Sequence, residues 1–126
     1  EKDFKNWETR LHLMDEVGRK EFERTVKGET PKISELLANL KKEFVTNKPN
    51  MATRNSSQKV LEVLTEALPE LLGGSADLTG SVGTKTKSLN PITPTDFTGR
   101  YIHYGVREHA MQAIMNGISL HGGFIP

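Results

Sequence analysis

Only two short stretches of this sequence read as β-strand. One opens at Leu71–Leu72 and stops near Gly73–Gly74–Ser75, and the other covers Tyr101–Tyr104. A helical pattern lies on the outer side of each. Two short strands do not make a stable sheet by themselves. The order helix, strand, loop, strand, helix after residue 50 fits part of an α/β domain with a parallel sheet. In such sheets ligands gather beyond the carboxyl ends of the strands. Asp77 follows the first candidate strand and Glu108 the second, so both acids are predicted on the edge where chemistry is expected.

The helix before the first strand carries Val60, Leu61, Leu64, Ala67 and Leu68 on one face. Asn55, Ser56 and Ser57 offer its N-caps, and Pro69 ends it. The helix after the second strand is read from Val106, Ala110, Ile114 and Ile118, every fourth position. Between the strands, Thr79 to Gly99 is polar and rich in Thr, Gly and Pro. A structureless stretch of that length is usually a functional loop or disordered.

Residues 1–46 are charged and helical in pattern. Phe4, Trp7, Leu11 and Met14 share one helix face, Gly18 interrupts the pattern, and Phe22 and Val26 continue it. Thr30 with Pro31 reads as an N-cap and first helical position for a helix bearing Ile33, Leu36, Leu37, Leu40 and Phe44. The aromatic stripe serves either packing or partner binding, and packing is the commoner use. Asn47–Asn50 reads as a linker.

Composition removes several function classes. Lys plus Arg is 17 and Asp plus Glu is 16, a net charge of +1. Residues 1–50 carry 11 basic and 10 acidic groups, and residues 51–126 carry 6 of each. Neither part has a bulk electrostatic reason to bind nucleic acid or an acidic membrane surface. With no Cys, disulfides, thiolate metal sites and thiol catalysis are excluded. No apolar run approaches the roughly 20 residues that span a bilayer, and no signal-peptide core follows Glu1, so a cytoplasmic location is expected. A hydrophobic content of 35% is low for a self-sufficient globule and suggests a fragment.

Local motifs alone decide little. Gly80–Ser81–Val82–Gly83–Thr84–Lys85–Thr86 resembles a phosphate loop but fails its spacing, because Thr84 separates Gly83 from Lys85. His12, His103, His109 and His121 form no metal-binding pair. His103 lies beside a turn, where it is either a substrate contact or an ordinary histidine. Glu108 in a first helical turn is either a carboxylate favoured by the helix dipole or an acid–base group. Arg54, ahead of a Ser-rich helix start, is either solvated or a phosphate ligand.

Two strings narrow the choice. Leu72–Gly73–Gly74–Ser75–Ala76–Asp77–Leu78–Thr79–Gly80–Ser81 resembles the GGSADL motif of transketolases. Tyr101–Ile102–His103–Tyr104–Gly105–Val106–Arg107–Glu108–His109–Ala110–Met111, with Asn116–Gly117–Ile118–Ser119, resembles their YIHYGVREHAM…NGIS motif. Ala52–Thr53–Arg54 resembles the ATR that opens the same domain, so the likeness covers residues 52–126. One position departs: Val82 stands where family members commonly have Asn.

The resemblance implies a thiamine-diphosphate enzyme that moves a two-carbon ketol unit between sugar phosphates. Residues 1–50 would be the helical segment joining two domains. Residues 51–126 would be the N-terminal part of the pyrimidine-binding domain, an incomplete parallel sheet truncated at Pro126. It implies that Glu108 hydrogen-bonds N1′ of the cofactor and is catalytic. Asp77 would lie near cofactor and substrate hydroxyls, and Arg54 and Ser81 would grip the substrate phosphate. Mg2+ or another divalent ion would be held by a domain absent from this chain. The missing N- and C-terminal domains and a second subunit would complete a homodimer, and the piece alone would be inactive. A dihydroxyacetone synthase fragment shares this plan, and a non-catalytic interaction module derived from a transketolase is the alternative from another class.

Overall fold

The computed structural model describes residues 1–126. The order is α1 Lys2–Leu13, α2 Glu16–Val26, α3 Ser34–Asn47, α4 Thr53–Ala67, β1 Gly73–Ser75, α5 Thr79–Val82, β2 Tyr101–His103 and α6 Glu108–His121. A helical segment thus precedes a small parallel α/β unit. None of the helices is long and apolar enough to cross a membrane.

The aromatic stripe joins the first two helices. Trp7 stacks on Phe4 with ring centroids 5.9 Å apart and meets Phe22 of α2 edge-on at 6.3 Å. The break between α1 and α2 falls at Met14–Asp15 and not at Gly18. The Asp15 carboxylate accepts the Gly18 N–H at 2.6 Å and caps α2, which places Gly18 inside the helix. The third helix starts at Ser34 and not at Pro31. The Glu29 carbonyl is held by the Arg24 guanidinium. Gly28 to Thr30 then line a cleft of about 40 Å³ with Glu70 and Gly123–Ile125. That packing keeps the chain out of the helix for several residues.

The fourth helix also differs from expectation, starting at Thr53 ahead of the candidate caps. Asn55 N–H and Ser56 N–H both donate to the Ala52 carbonyl, at 2.9 and 3.2 Å, so hydrogen bonding begins there. Arg54 therefore lies within the first turn rather than before it.

The two strands pair in parallel, with Gly73 opposite Tyr101, Gly74 opposite Ile102 and Ser75 opposite His103. The first strand begins later than Leu71. Leu71 bridges to Ile125 instead, and the Leu72 N–H donates to the Ile125 carbonyl at 2.8 Å. Glycine is required at position 74: a Cβ there would come within 2.4 Å of the Tyr104 ring and 2.9 Å of the Ile102 carbonyl.

The core is small: Leu68, Ala76, Leu89 and Tyr101, with Thr65 beside them. Leu89, only 2% exposed, comes from the polar stretch between the strands. That stretch is an ordered strap. Thr86 and Ser88 hydroxyls meet the Thr65 hydroxyl at 2.8 and 2.9 Å. Ile92 N–H donates to the Tyr101 carbonyl at 2.8 Å. Arg100 closes the strap by donating to the Thr65 and Leu68 carbonyls at the end of α4, each at 2.8 Å.

The last helix turns a different face inward than its fourth-position spacing predicts. Gly105 has φ +67°, and Arg107 is not helical, so Val106 lies outside the helix and is exposed. Met111 and Met115 instead line an apolar groove with Leu72 and Tyr104.

Candidate active site

A cleft of about 340 Å³ opens between the carboxyl end of β1 and the first turn of α6, the helix that follows β2. Its floor is Gly74 to Leu78, leaving β1. Val82 and Thr84 form one wall, and Glu108 and Met111 of α6 form the other. The structure therefore brings Asp77 and Glu108 to the same cavity, although they lie on different sides of the crossover.

Local structure explains both positions. Buried Ser75 and Ala76 fix the end of β1. The next residue, Asp77, has φ +151°, a backbone conformation that side-chain-bearing residues rarely adopt. The Thr79 N–H donates to the Asp77 carbonyl at 2.8 Å and turns the chain into α5. Glu108 is the first residue of α6, where the unpaired backbone N–H groups favour an anion. Its neighbour Arg107 donates to the Tyr104 carbonyl at 2.9 Å, and Glu108 forms no ion pair. Both carboxylates are exposed to the cleft mouth.

Arg54 and Ser81 lie outside the cleft lining. Arg54 lies in the first turn of α4 and Ser81 in α5. Gln58, one turn after Arg54 on α4, would touch a Cβ at Gly83 and donates to the Lys85 carbonyl at 3.5 Å. Ser81 is in the single turn that precedes Gly83, and both Arg54 and Ser81 are exposed. His103 is exposed on β2 and meets Tyr101 edge-on at 5.0 Å.

Sequence reasoning missed Thr84 and Met111 as lining residues. Thr84 was hidden in the failed phosphate loop. The signal for Met111 was present: it follows Glu108 by three positions, so the two share a helix face. No group of three or more His, Asp or Glu side chains is disposed to hold a metal ion.

Comparison with known proteins follows the same outline. Residues 49–126 match the family model described as transketolase, pyrimidine binding domain. A transketolase of Sinorhizobium medicae is 46% identical over 121 residues, which cover 95% of this chain and 17% of that protein. The solved transketolase from Leishmania mexicana superposes with a TM-score of 0.75 at 37% identity, over 97% of this chain and 18% of that one. A Pichia stipitis transketolase, solved in complex with sedoheptulose 7-phosphate, is 51% identical over 58% of this chain and 12% of its own, with a TM-score of 0.56. The chain thus spans about a sixth of the length of the curated relatives it matches, 17% in the first case. With the parallel strand pair, its acidic cleft and the match across residues 49–126 in agreement, the chain belongs to the transketolase family through its pyrimidine-binding domain.

Proposed function

We propose that this chain forms the pyrimidine end of a thiamine-diphosphate site in a transketolase, which transfers a two-carbon ketol unit between sugar phosphates. The observation that carries the reading is the single cleft holding Asp77 and Glu108 at the carboxyl edge of the strand pair. Its volume of about 340 Å³ lies near the lower end for ligand pockets.

The lining suits one part of that cofactor. Leu78, Val82 and Met111 offer apolar walls for a flat heteroaromatic ring, and Glu108 offers a carboxyl that can share a proton with a basic ring nitrogen. No Lys or Arg lines the cleft, so the charge of a diphosphate is not answered there. We assign the diphosphate and its divalent ion, Mg2+ or another, to a domain outside this chain. When bound, thiamine diphosphate supplies the nucleophilic carbon and the electron sink for carbon–carbon cleavage.

The chain's own residues then have separate tasks. Glu108 holds a proton at the N1′ position of the ring. Asp77 lies beside the ring and accepts from substrate hydroxyls. Its strained backbone supports a positional demand at that point. Arg54 forks onto the substrate phosphate, and the Ser81 hydroxyl donates to it. Residues 1–50 act as the helical linker between domains, and residues 51–126 belong to the pyrimidine-binding domain. A homodimer completes the site, in the cytoplasm. The 126-residue piece alone has no turnover.

Glu108→Gln in the full-length protein tests the reading. Deuterium exchange of the cofactor's C2 proton should slow by about 10²-fold or more, with turnover falling alongside and thermal stability unchanged. Exchange at the wild-type rate would remove Glu108 from this role.

A further inference from the structure

The α5 turn carries Ser81 and continues into Thr84, yet very little secures it. It is one helical turn, and helices this short are not stable on their own. Its backbone makes three closing bonds, Ser81 N–H and Val82 N–H to the Leu78 carbonyl at 2.9 and 3.0 Å and Gly83 N–H to the Thr79 carbonyl at 3.1 Å, all of them local to the turn. The Gln58 bond to the Lys85 carbonyl is long, at 3.5 Å. The Ser81 side chain hydrogen-bonds to nothing else in the chain, which leaves its hydroxyl free.

Tyr101 supplies what the turn lacks. It opens β2 and is 0% exposed. Its hydroxyl meets the Thr84 hydroxyl at 2.7 Å and donates to the Thr79 hydroxyl at 3.3 Å. A phenol has one proton to give and lone pairs to accept with, so the two bonds use both capacities. Thr79 is the first residue of α5, and Thr84 lies just past its end. One buried hydroxyl therefore ties both ends of the turn to the sheet. Packing alone would be met by phenylalanine. The hydroxyl is explained by the two threonines it holds.

We propose that Tyr101 is a positioning residue whose buried hydroxyl, bonded to Thr79 and Thr84, fixes the α5 turn and so aims Ser81 at the substrate phosphate. The inference rests on the phosphate-binding reading of Ser81 given above.

Tyr101→Phe in the full-length protein tests it with two readouts. Amide hydrogen exchange over residues 79–85 should quicken by about five-fold, the scale of one net hydrogen bond. The KM for fructose 6-phosphate should rise by about five-fold, with kcat within about two-fold and the KM for unphosphorylated fructose unchanged. Thr79→Val, which removes the other hydroxyl partner and lies outside the cleft lining, should reproduce the split, and the double variant should add little to either single one. Wild-type exchange over residues 79–85 in Tyr101→Phe overturns the proposal. Equal KM shifts for both sugars also overturn it, because the hydroxyl would then serve general stability. Absence of ketol transfer in the wild-type protein refutes the proposed function instead, and the exchange data still decide whether Tyr101 holds the turn.

Discussion

Arg24 and Glu70 meet in a two-point ion pair across 46 positions of sequence, with Nη1 to Oε1 and Nη2 to Oε2 both at 3.0 Å. The Glu70 side chain is 5% exposed and that of Arg24 is 17% exposed. The pair fastens the charged helical segment to the chain entering β1, where the Glu70 carbonyl also accepts the Ile125 N–H at 3.0 Å. Glu21 adds a second carboxylate to the same guanidinium at 2.6 Å. The hydrogen bonds from Arg24 hold the Glu70 carboxyl below the usual glutamate range.

Removing one partner strands the other. Arg24→Met leaves a buried carboxylate without its cation, which should lower the urea midpoint of unfolding. Arg24→Met with Glu70→Met should recover most of that loss, since an apolar pair of similar volume carries no uncompensated charge. Urea unfolding of both variants checks the difference.

Acid should weaken the same joint. The folded-state value of Glu70 is depressed, so its contribution is complete above the ordinary value near 4.5 and is lost as pH falls through the lower folded value. Urea midpoints measured downward from about pH 6 to pH 3 should fall more steeply in the wild type than in the double methionine variant. Parallel curves would show that other groups govern acid sensitivity.

Gly74→Ala should be costly out of proportion to one methyl group. The added carbon meets the Tyr104 ring and the Ile102 carbonyl, and backbone cannot swing away as a long side chain can. A loss of about 2 kcal/mol is expected from such overpacking. Gly80→Ala is the control, because nothing lies within 4 Å of its Cβ position. Melting temperatures should fall for the first and hold or rise slightly for the second.

Arg54→Ala should raise the KM for a ketose phosphate without a matching fall in kcat. Loss of a charge-assisted contact of about 2 kcal/mol corresponds to roughly thirty-fold. The unphosphorylated sugar should show no change. Equal effects on both sugars would place Arg54 outside the phosphate contact.

The parallel pairing and the acidic edge were legible in the sequence because both follow from element order. Asp77 and Glu108 stand directly after the two strand signals, and topology then brings them to one cleft. Helix starts were less legible. The first turn of α4 is closed by the Ala52 carbonyl, with no side-chain cap to announce it. Asp15 did carry a cap signal, but Gly18 offered a more conspicuous break. The inward face of α6 was misread because Val106 looks helical in spacing, while Gly105 and Arg107 hold it outside the helix. The buried role of Leu89 left no trace in a window dominated by Thr, Lys and Pro. Its burial depends on Arg100 and Thr65, distant partners that no local pattern records.

The strap between the strands also settles the fate of an exposed flank. Pro91 bridges to Tyr101 on the side of β2 away from β1, while Ile125 bridges to Leu71 just ahead of β1. A strand with open ladder groups invites a strand from another molecule. Here the Tyr101 carbonyl is already engaged by Ile92, and Pro91 has no N–H to offer a newcomer. The polar crossover therefore blunts edge-to-edge self-association at this point, a protection the short strands themselves have no means to provide.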